Sequence, residues 1–254
     1  MTPDRFFTRK NPYWRLRFAT DPDDHDGVEF FRLRLQALTE AGHLASATET
    51  IYEPEVHAFG GPDGMTVAHR LFHADSRHIL AYLRTGQAAI GKRELSVLLC
   101  STLLRGAGQD WYEQGDVWAR VTEHQSPLPT GTPPDRLHRL RAQLRRLMIT
   151  DTSPGSLLPA DAEPSAAWIT AFAVTGRALR DLADTGALRR GLRAVLAHHV
   201  LFHWNRLGLD PHTKTLLAHA ATDAMFTDDT HRTTHPRHHG GQSTSRGPTD
   251  ARQP

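Results

Sequence analysis

Apolar residues recur at helical spacing along most of this chain. In successive segments they return every three or four positions, which places them on one face of an α-helix. Breaks that contain Gly or Pro separate these segments. The pattern predicts helices at residues 28–41, 63–83, 92–104, 110–122, 135–149, 165–185, 187–207 and 211–226.

A β-hairpin is predicted near the start of the chain. Residues 6–18 divide into a strand, a turn at Asn11-Pro12 and a second strand in which apolar and basic residues alternate. Side chains two positions apart on a strand share a face, so Arg15 and Arg17 project together, about 7 Å apart. Two such guanidinium groups suit a ligand with two carboxylates; the alternative is an exposed face of an edge strand.

A further strand is predicted between the first two helices. A strand that begins near Leu44 leads into residues 51–59, where Glu53, Glu55 and His57 occupy alternate positions and so share one face. The Gly-Gly-Pro run that follows ends the strand, because glycine is conformationally free and proline lacks a backbone donor.

These elements define the predicted fold class, which is α+β: a predominantly helical single domain with a small antiparallel sheet carrying Arg15, Arg17 and Glu55. A chain of 254 residues can bury a substantial core, and nothing in its composition requires a division. The domain is expected to span residues 1–226. From Thr227 onward apolar periodicity is absent, so residues 227–254 are predicted to be a disordered tail.

The composition favours a soluble protein of a reducing compartment. The single cysteine, Cys100, lies in an apolar run and is expected to fill the core, which excludes a disulfide framework. The start of the chain lacks a signal-peptide pattern, and no apolar run reaches the roughly 20 residues of a membrane span. A cytoplasmic location without a membrane partner is therefore expected.

Charge gives little support to a nucleic-acid partner. The chain has 30 basic and 28 acidic residues, and the segment from Thr230 onward holds four of the basic residues and one of the acidic ones. This leaves 26 basic and 27 acidic residues in the body, which is near neutral. Direct nucleic-acid binding is not expected. The arginine-rich face of the helix at residues 135–149 is interpreted as solvated, with tRNA binding as the alternative.

Acidic and imidazole side chains are candidates for acid–base chemistry or metal binding. Glu55 and His57 lie on the predicted strand, and His69 and His73 share a face of the next helix because they are four residues apart. The alternative is that the first pair is solvated and the second flanks the core. An HxxxH sequence at residues 199–203 lacks the glutamate of HExxH, so no metal is expected.

Three stretches of the sequence resemble motifs of one enzyme family. They read FFTRKNPYWRLRF at residues 6–18, YEPEVHAFGG…AHRLFHADS at residues 52–76 and HHVLFHWNRLGL at residues 198–209. In this order they resemble the elimination domain at the C-terminus of class I lantibiotic dehydratases, in the stand-alone form found in thiopeptide-type bacteriocin biosynthesis. The resemblance spans most of the chain, and the combination is more specific than any single motif.

The resemblance implies a carbon–oxygen lyase that modifies a ribosomally made precursor peptide. In that family a separate glutamylation subunit uses glutamyl-tRNA to esterify a serine or threonine of the precursor. The elimination domain then removes the α-proton and expels glutamate, which leaves a dehydroamino acid. The implied partners are the precursor peptide and the glutamylation subunit. No cofactor is implied. The resemblance does not fix the oligomeric state, and a homodimer is one alternative.

Two alternative functions accompany this one. The same fold serves, within the family, in enzymes that join two dehydroalanines by a formal 4+2 cycloaddition to form the pyridine ring of thiopeptides. The other alternative is a non-catalytic subunit that binds the precursor peptide for a partner.

The resemblance also implies site residues. The substrate-binding set comprises Arg9, Arg15, Arg17, Asn205 and Arg206. The catalytic candidates are His203, His57, His69 and Glu55, where Glu55 matches the family's strand-end glutamate.

The chain departs from the family pattern at two places. Ala58 stands where an arginine is common, and Leu201 stands where the catalytic histidine is expected. His203 is the imidazole nearest to that second place, and a base from among His57, His69 and His73 is the alternative.

Overall fold

The computed structural model describes residues 5–10, 13–18, 25–84, 90–153 and 163–226. The strands in these ranges are β1 (Arg5–Lys10) and β2 (Tyr13–Phe18). The helices are α1 (His25–Glu40), α2 (Pro62–Arg84), α3 (Lys92–Gly106), α4 (Trp111–Glu123), α5 (Pro134–Ile149), α6 (Glu163–Asp184), α7 (Leu192–Leu207) and α8 (Pro211–Phe226). The predicted fold class, α+β and predominantly helical with a small antiparallel sheet, is confirmed.

The main core is built around α3, in which every residue from Leu95 to Leu104 is buried. α3 packs on α6, and α4 packs on α7 and α8. A Cβ atom added at Gly176 of α6 would lie 2.3 Å from the Leu103 carbonyl oxygen, so a glycine at this point permits the close approach of the two helices. The thiol of Cys100 is fully buried, which confirms its predicted role in the core.

The predicted hairpin is confirmed, and α2 holds it in place. β1 and β2 pair antiparallel, and β1 packs on α2 and α7. The Phe7 backbone N–H donates to Ser76 Oγ at 3.2 Å, and His73 Nδ1 lies 3.0 Å from the backbone nitrogen of Arg5. Two residues of α2 thus contact the backbone of β1 directly. The predicted turn at Asn11-Pro12 lies outside the described residues.

A small aromatic cluster, separate from the main core, joins the hairpin to the helices. Its members include Phe6, Phe59, Phe72 and Phe202. The rings of Phe72 and Phe202 stack with their centroids 5.5 Å apart, and the Phe6 ring lies 5.3 Å from that of Phe72. Because these residues come from β1, α2, α7 and the turn before α2, the cluster fixes the relative positions of all four.

The strands predicted near Leu44 and at residues 51–59 are wrong. Residues 46–55 have no regular secondary structure, and residues 56–60 form a turn. Pro54 cannot donate a backbone hydrogen bond. The backbone around it bonds locally instead: Val56 N–H donates to the Pro54 carbonyl at 2.8 Å, and Gly61 N–H donates to the Val56 carbonyl at 2.9 Å. Glu53, Glu55 and His57 therefore do not share a strand face, and Glu55 is not part of the sheet.

The turn before α2 requires its glycines. Gly60 and Gly61 have φ angles of +84° and +104°, which residues with a Cβ atom rarely adopt. Gly60 also accepts a hydrogen bond of 2.7 Å from the Arg189 backbone N–H, so the turn is attached to the loop before α7. α7 begins at Leu192, later than predicted. The predicted tail at residues 227–254 lies outside the described residues.

Candidate functional site

A cavity of about 920 Å³ lies between the hairpin, the irregular segment at residues 51–59 and the junction of α7 with α8. Phe6, Phe59 and Phe202 of the aromatic cluster line part of it. The cationic side chains around it are Arg9, Arg15, Arg17 and Lys214, and the acidic ones are Glu53, Glu55 and Asp210. Charged groups of both signs therefore surround one concave space beside aromatic side chains, and they can orient a small polar ligand in it.

The two arginines of β2 reach this cavity together. In the hairpin register Arg15 lies opposite Thr8, and Arg17 lies opposite Phe6. The Arg17 guanidinium lies 5.1 Å from the centre of the Tyr52 ring, within the distance of a cation–π interaction. In the described part of the chain neither arginine forms an ion pair. Both therefore keep their charge available to a ligand.

Arg9 enters the cavity from the other side of the hairpin. Its guanidinium lies 4.2 Å from the centre of the Trp14 ring. Burial lowers the pKa of Arg9, and its Nε atom is buried without a hydrogen-bond partner among the described residues. An unpaired buried donor is costly, so an anion in the cavity would stabilise this arginine.

Gly208 makes room for Arg9. This residue ends α7 in the left-handed conformation, with φ +73°, as glycine often does at the C-terminus of a helix. A Cβ atom at this position would lie 2.5 Å from Arg9 Nη1. Gly208 thus ends the helix and also leaves the space that the Arg9 side chain occupies.

Lys214 and Asn205 form one corner of the cavity. Lys214 Nζ donates to Asn205 Oδ1 at 2.6 Å. Burial lowers the pKa of Lys214, and the nearby charge of Asp210 opposes this effect. Asp210 itself caps α8, because its carboxylate accepts hydrogen bonds from the hydroxyl and backbone N–H of Thr213, and these bonds lower its pKa. This corner joins the end of α7 to the first turn of α8.

Tyr52 connects the cavity to a histidine behind it. The Tyr52 hydroxyl lies 2.9 Å from His69 Nε2, and the His69 ring stacks on Phe6 with centroids 5.6 Å apart. Burial raises the pKa of Tyr52, the Arg17 charge lowers it, and the Glu55 charge raises it further. The imidazole of His69 is thus joined by one hydrogen bond to a side chain that lines the cavity.

His203 and Arg206 lie in the interior and not in the cavity. His203 Nδ1 lies 3.0 Å from Asp75, and Arg206 Nε donates to Asp75 Oδ2 at 2.7 Å. Trp168 Nε1 donates to the same carboxylate at 2.8 Å, and all four side chains are buried. α7 turns Phe202 and Asn205 toward the cavity, and a step of one residue rotates a side chain by about 100°, so residues 203 and 206 point into the core. The structure therefore does not bring these two predicted site residues into the cavity.

Burial alone would raise the pKa of Asp75. Its pairing with His203 and then with Arg206 outweighs this effect and lowers the pKa to about 2. A buried carboxylate that stays ionised beside a buried guanidinium is a structural arrangement that ties α2, α6 and α7 together.

The remaining predicted residues have mixed positions. Arg9, Arg15, Arg17, Glu55 and Asn205 line the cavity. His57 is exposed and is not among the residues that line it. The predicted list omitted Tyr52 and Lys214. Tyr52 belongs to the YEPE motif, which was a usable signal, whereas nothing local marks Lys214 on α8.

Ala58 and Leu201, the two departures from the family pattern, have different contacts. At Ala58, the Arg190 guanidinium donates to the backbone carbonyl at 2.8 Å, although Arg190 does not line the cavity. Leu201 is half-buried and packs against the main core. His199, in the preceding turn of α7, is buried beside Phe59, and burial lowers its pKa to about 3.

Comparison with known proteins identifies a solved structure of similar fold. A solved structure, that of the tRNA-dependent lantibiotic dehydratase MibB from Microbispora sp. 107891, is similar with a TM-score of 0.63 at 19% identity. The match covers 87% of this chain and 24% of MibB, so the chain spans about a quarter of the length of MibB. The comparison with curated proteins gave no match.

In the ranges that the structure describes, no helix is both long and apolar enough to cross a membrane. The family model for the C-terminal part of lantibiotic biosynthesis dehydratases matches residues 2–225. Since that match covers most of the 254 residues of the chain, the protein belongs to the lantibiotic biosynthesis dehydratase C-terminal family.

Proposed function

We propose that this protein eliminates glutamate from O-glutamylated serine or threonine residues of a ribosomally made precursor peptide. A separate glutamylation subunit supplies the substrate, and the product is a dehydroamino acid. The observation that carries the proposal is the cavity in which Arg9, Arg15 and Arg17 have no ion-pair partner among the described residues. Family membership supports the same reaction class.

The charges of the cavity match those of a glutamyl ester. The esterified glutamate carries one free carboxylate and one ammonium group. A guanidinium fork binds a carboxylate through two parallel hydrogen bonds, which suits Arg15 or Arg17. Glu53 and Glu55 are exposed carboxylates on the irregular segment, and they offer acceptors for the ammonium group. The cavity volume of about 920 Å³ accommodates the glutamyl group with neighbouring peptide residues.

The same cations favour the transition state over the bound ester. Removal of the α-proton places negative charge on the adjacent carbonyl oxygen, and departure of glutamate creates a second carboxylate. Both charges are absent in the substrate, so nearby cations stabilise the transition state more than the ground state. Cationic side chains on two sides of the cavity, Arg15 and Arg17 on β2 and Lys214 on α8, are suited to this task.

The experiment uses a synthetic peptide that contains one O-glutamyl serine, so that the glutamylation subunit is not required. Incubation with the protein should convert the peptide to the dehydroalanine form and release free glutamate, both measured by mass spectrometry. The control is the same incubation with the Arg15→Ala, Arg17→Ala double variant, in which the O-glutamyl peptide should persist. Persistence of the peptide with the wild-type protein would contradict the proposed function.

A further inference from the structure

The proposed elimination needs a group that accepts the α-proton, and the cavity has no histidine among its described lining residues. His199 and His203 lie in the buried interior. His73 binds the backbone of β1 at Arg5. The proton acceptor must therefore be a side chain other than histidine, or a histidine that is connected to the cavity through a lining side chain.

Tyr52 is the side chain that joins an imidazole to the cavity. It lines the cavity, and its hydroxyl lies 2.9 Å from His69 Nε2. Its ring is held by an edge contact with Phe6, with centroids 5.8 Å apart, and by the Arg17 guanidinium at 5.1 Å. His69 is held in turn by its stacking on Phe6. The hydroxyl and the imidazole are therefore oriented toward each other by packing on two sides.

The surroundings suit a phenol that passes protons and does not stay ionised. Burial raises the pKa of Tyr52, so its resting form is the neutral phenol. A neutral phenol is a poor base by itself, but it can take a proton on its oxygen while its own proton moves to a neighbouring acceptor. His69 Nε2, at hydrogen-bond distance, is such an acceptor in the tautomer that carries its proton on Nδ1. The Arg17 charge over the ring stabilises negative charge that develops on the phenolic oxygen.

On the basis of the function proposed above, we infer that Tyr52 and His69 are the proton-transfer pair of the elimination. The Tyr52 oxygen takes the α-proton of the glutamylated residue, while the phenolic proton moves to His69 Nε2. The electron pair of the broken C–H bond forms the Cα–Cβ double bond. The Cβ–O bond breaks, and its electron pair leaves with the glutamate carboxylate. His69 afterwards releases one proton to solvent, which balances the reaction.

The rival interpretation is structural: the Tyr52–His69 bond would do no more than attach the irregular segment to α2. Two variants separate these interpretations. Tyr52→Phe keeps the ring and its contacts but removes the hydroxyl. His69→Gln keeps a hydrogen-bonding side chain but removes the proton acceptor. The matched control is Tyr112→Phe, which removes a phenol from an exposed position on α4 outside this cavity.

The first readout is turnover of the O-glutamyl serine peptide. Tyr52→Phe and His69→Gln should each lower kcat by about 100-fold or more, with KM changed by less than about threefold, and with an unchanged circular dichroism spectrum. A deuterium label at the α-carbon should slow the wild-type reaction. Wild-type turnover in Tyr52→Phe would overturn the inference while leaving the proposed function intact, as would a loss confined to KM or to folding.

The second readout does not depend on glutamate release. It uses a peptide in which 2,3-diaminopropionate carries the glutamyl group through an amide, which is a poor leaving group. In deuterated water the wild-type protein should exchange the α-proton of this residue, and Tyr52→Phe should not. Exchange that depends on Tyr52, without elimination of the ester, would overturn the proposed function but would still show that Tyr52 transfers the α-proton. Absence of both activities in the wild type would overturn both.

Discussion

Arg17 has a defined position in the cavity. It lies on β2 opposite Phe6, and its guanidinium lies 5.1 Å from the centre of the Tyr52 ring. A planar guanidinium can stack on an aromatic face and still donate a fork of hydrogen bonds at its edge. An ammonium group has the same charge but cannot make both contacts, so the shape of the group is open to a direct test.

Arg17→Lys should raise KM for the O-glutamyl peptide by about tenfold or more, because about 1.4 kcal/mol of binding accompanies each factor of ten and a charged hydrogen bond contributes about as much. Steady-state kinetics measure the change. Arg34→Lys, an exposed position on α1, is the matched control and should leave KM unaltered. Unchanged kinetics in both Arg17→Lys and Arg17→Ala would remove Arg17 from the site.

Gly208 and Gly186 allow a second test, because they share a backbone conformation but differ in their surroundings. Both have φ +73°, but a Cβ atom at Gly208 would lie 2.5 Å from Arg9 Nη1, whereas one at Gly186 would meet nothing within 4 Å. Each change to alanine should cost about 1–2 kcal/mol of unfolding free energy for the left-handed backbone. Only Gly208→Ala should also displace Arg9.

Gly208→Ala should therefore raise KM for the O-glutamyl peptide several-fold in addition to its effect on stability, and Gly186→Ala should lower stability alone. Urea denaturation and steady-state kinetics measure the two effects. Equal KM values in the two variants would show that the position of Arg9 does not matter for binding.

Among the secondary-structure elements, one carboxylate joins three helices. Asp75 of α2 accepts hydrogen bonds from Trp168 of α6 and from Arg206 of α7, and it pairs with His203 of α7. Removing one partner of a buried ionic group leaves the other charge uncompensated, which costs about 3–5 kcal/mol. The arrangement thus fixes the rotation of α7, whose neighbouring face, about 100° away, presents Phe202 and Asn205 to the cavity.

Asp75→Asn should lower the unfolding free energy by about 3–5 kcal/mol at neutral pH. The pKa of Asp75 is about 2 in the folded protein against 3.8 ordinarily, so its contribution is complete above pH 3.8 and is lost as the pH falls toward 2. This difference amounts to about 2 kcal/mol. The deficit of the variant relative to the wild type should therefore shrink by about 2 kcal/mol between about pH 5 and about pH 2.

Urea denaturation across this pH range measures that deficit. Asp184→Asn, an exposed residue at the end of α6, is the control and should show only a small and constant difference from the wild type. A deficit for Asp75→Asn that stays the same at every pH would mean that folding does not lower the pKa of Asp75.

For the molecule as a whole, the described fold ends at α8, and the last residues of that helix are well packed. Met225 is buried, and its carbonyl oxygen accepts a hydrogen bond of 3.0 Å from Trp111 Nε1. The Ala224 carbonyl accepts one of 3.0 Å from Arg145 Nη1. After Phe226 the sequence contains one residue of the hydrophobic class, Ala251, which cannot form a core.

Truncation after Phe226 should leave Tm and activity within error of the full chain. Truncation after Asp223 is the matched control: it removes Met225 and should cost about 2–5 kcal/mol of unfolding free energy, as loss of a buried methionine does. Thermal denaturation of the two truncated proteins decides the matter. A fall of more than a few degrees in the first protein would show that residues 227–254 contribute to the fold.

Most of the secondary structure could be predicted from local patterns in the sequence. Helices and hairpin strands depend on contacts between residues close in the chain, and their apolar periods are visible without a structure. The three motifs also led to the family and to Arg9, Arg15, Arg17, Glu55 and Asn205, which line the cavity. The strand predicted at residues 51–59 failed because local bonds around Pro54 and the glycines compete with pairing, and alternation alone does not reveal that competition.

Which side chains face the cavity depends on contacts between residues far apart in the chain. His203 and Asn205 lie two positions apart on α7, and their spacing does not say which one points inward until α2 supplies Asp75 from 128 residues away. Tyr52 and His69 are in contact because the segment before α2 folds back over that helix. Lys214 lies in the cavity because α8 packs beside the end of α7, where Lys214 contacts Asn205. The rotation of a helix is set by long-range packing and by the pairing of buried charges, and neither has a period in the sequence.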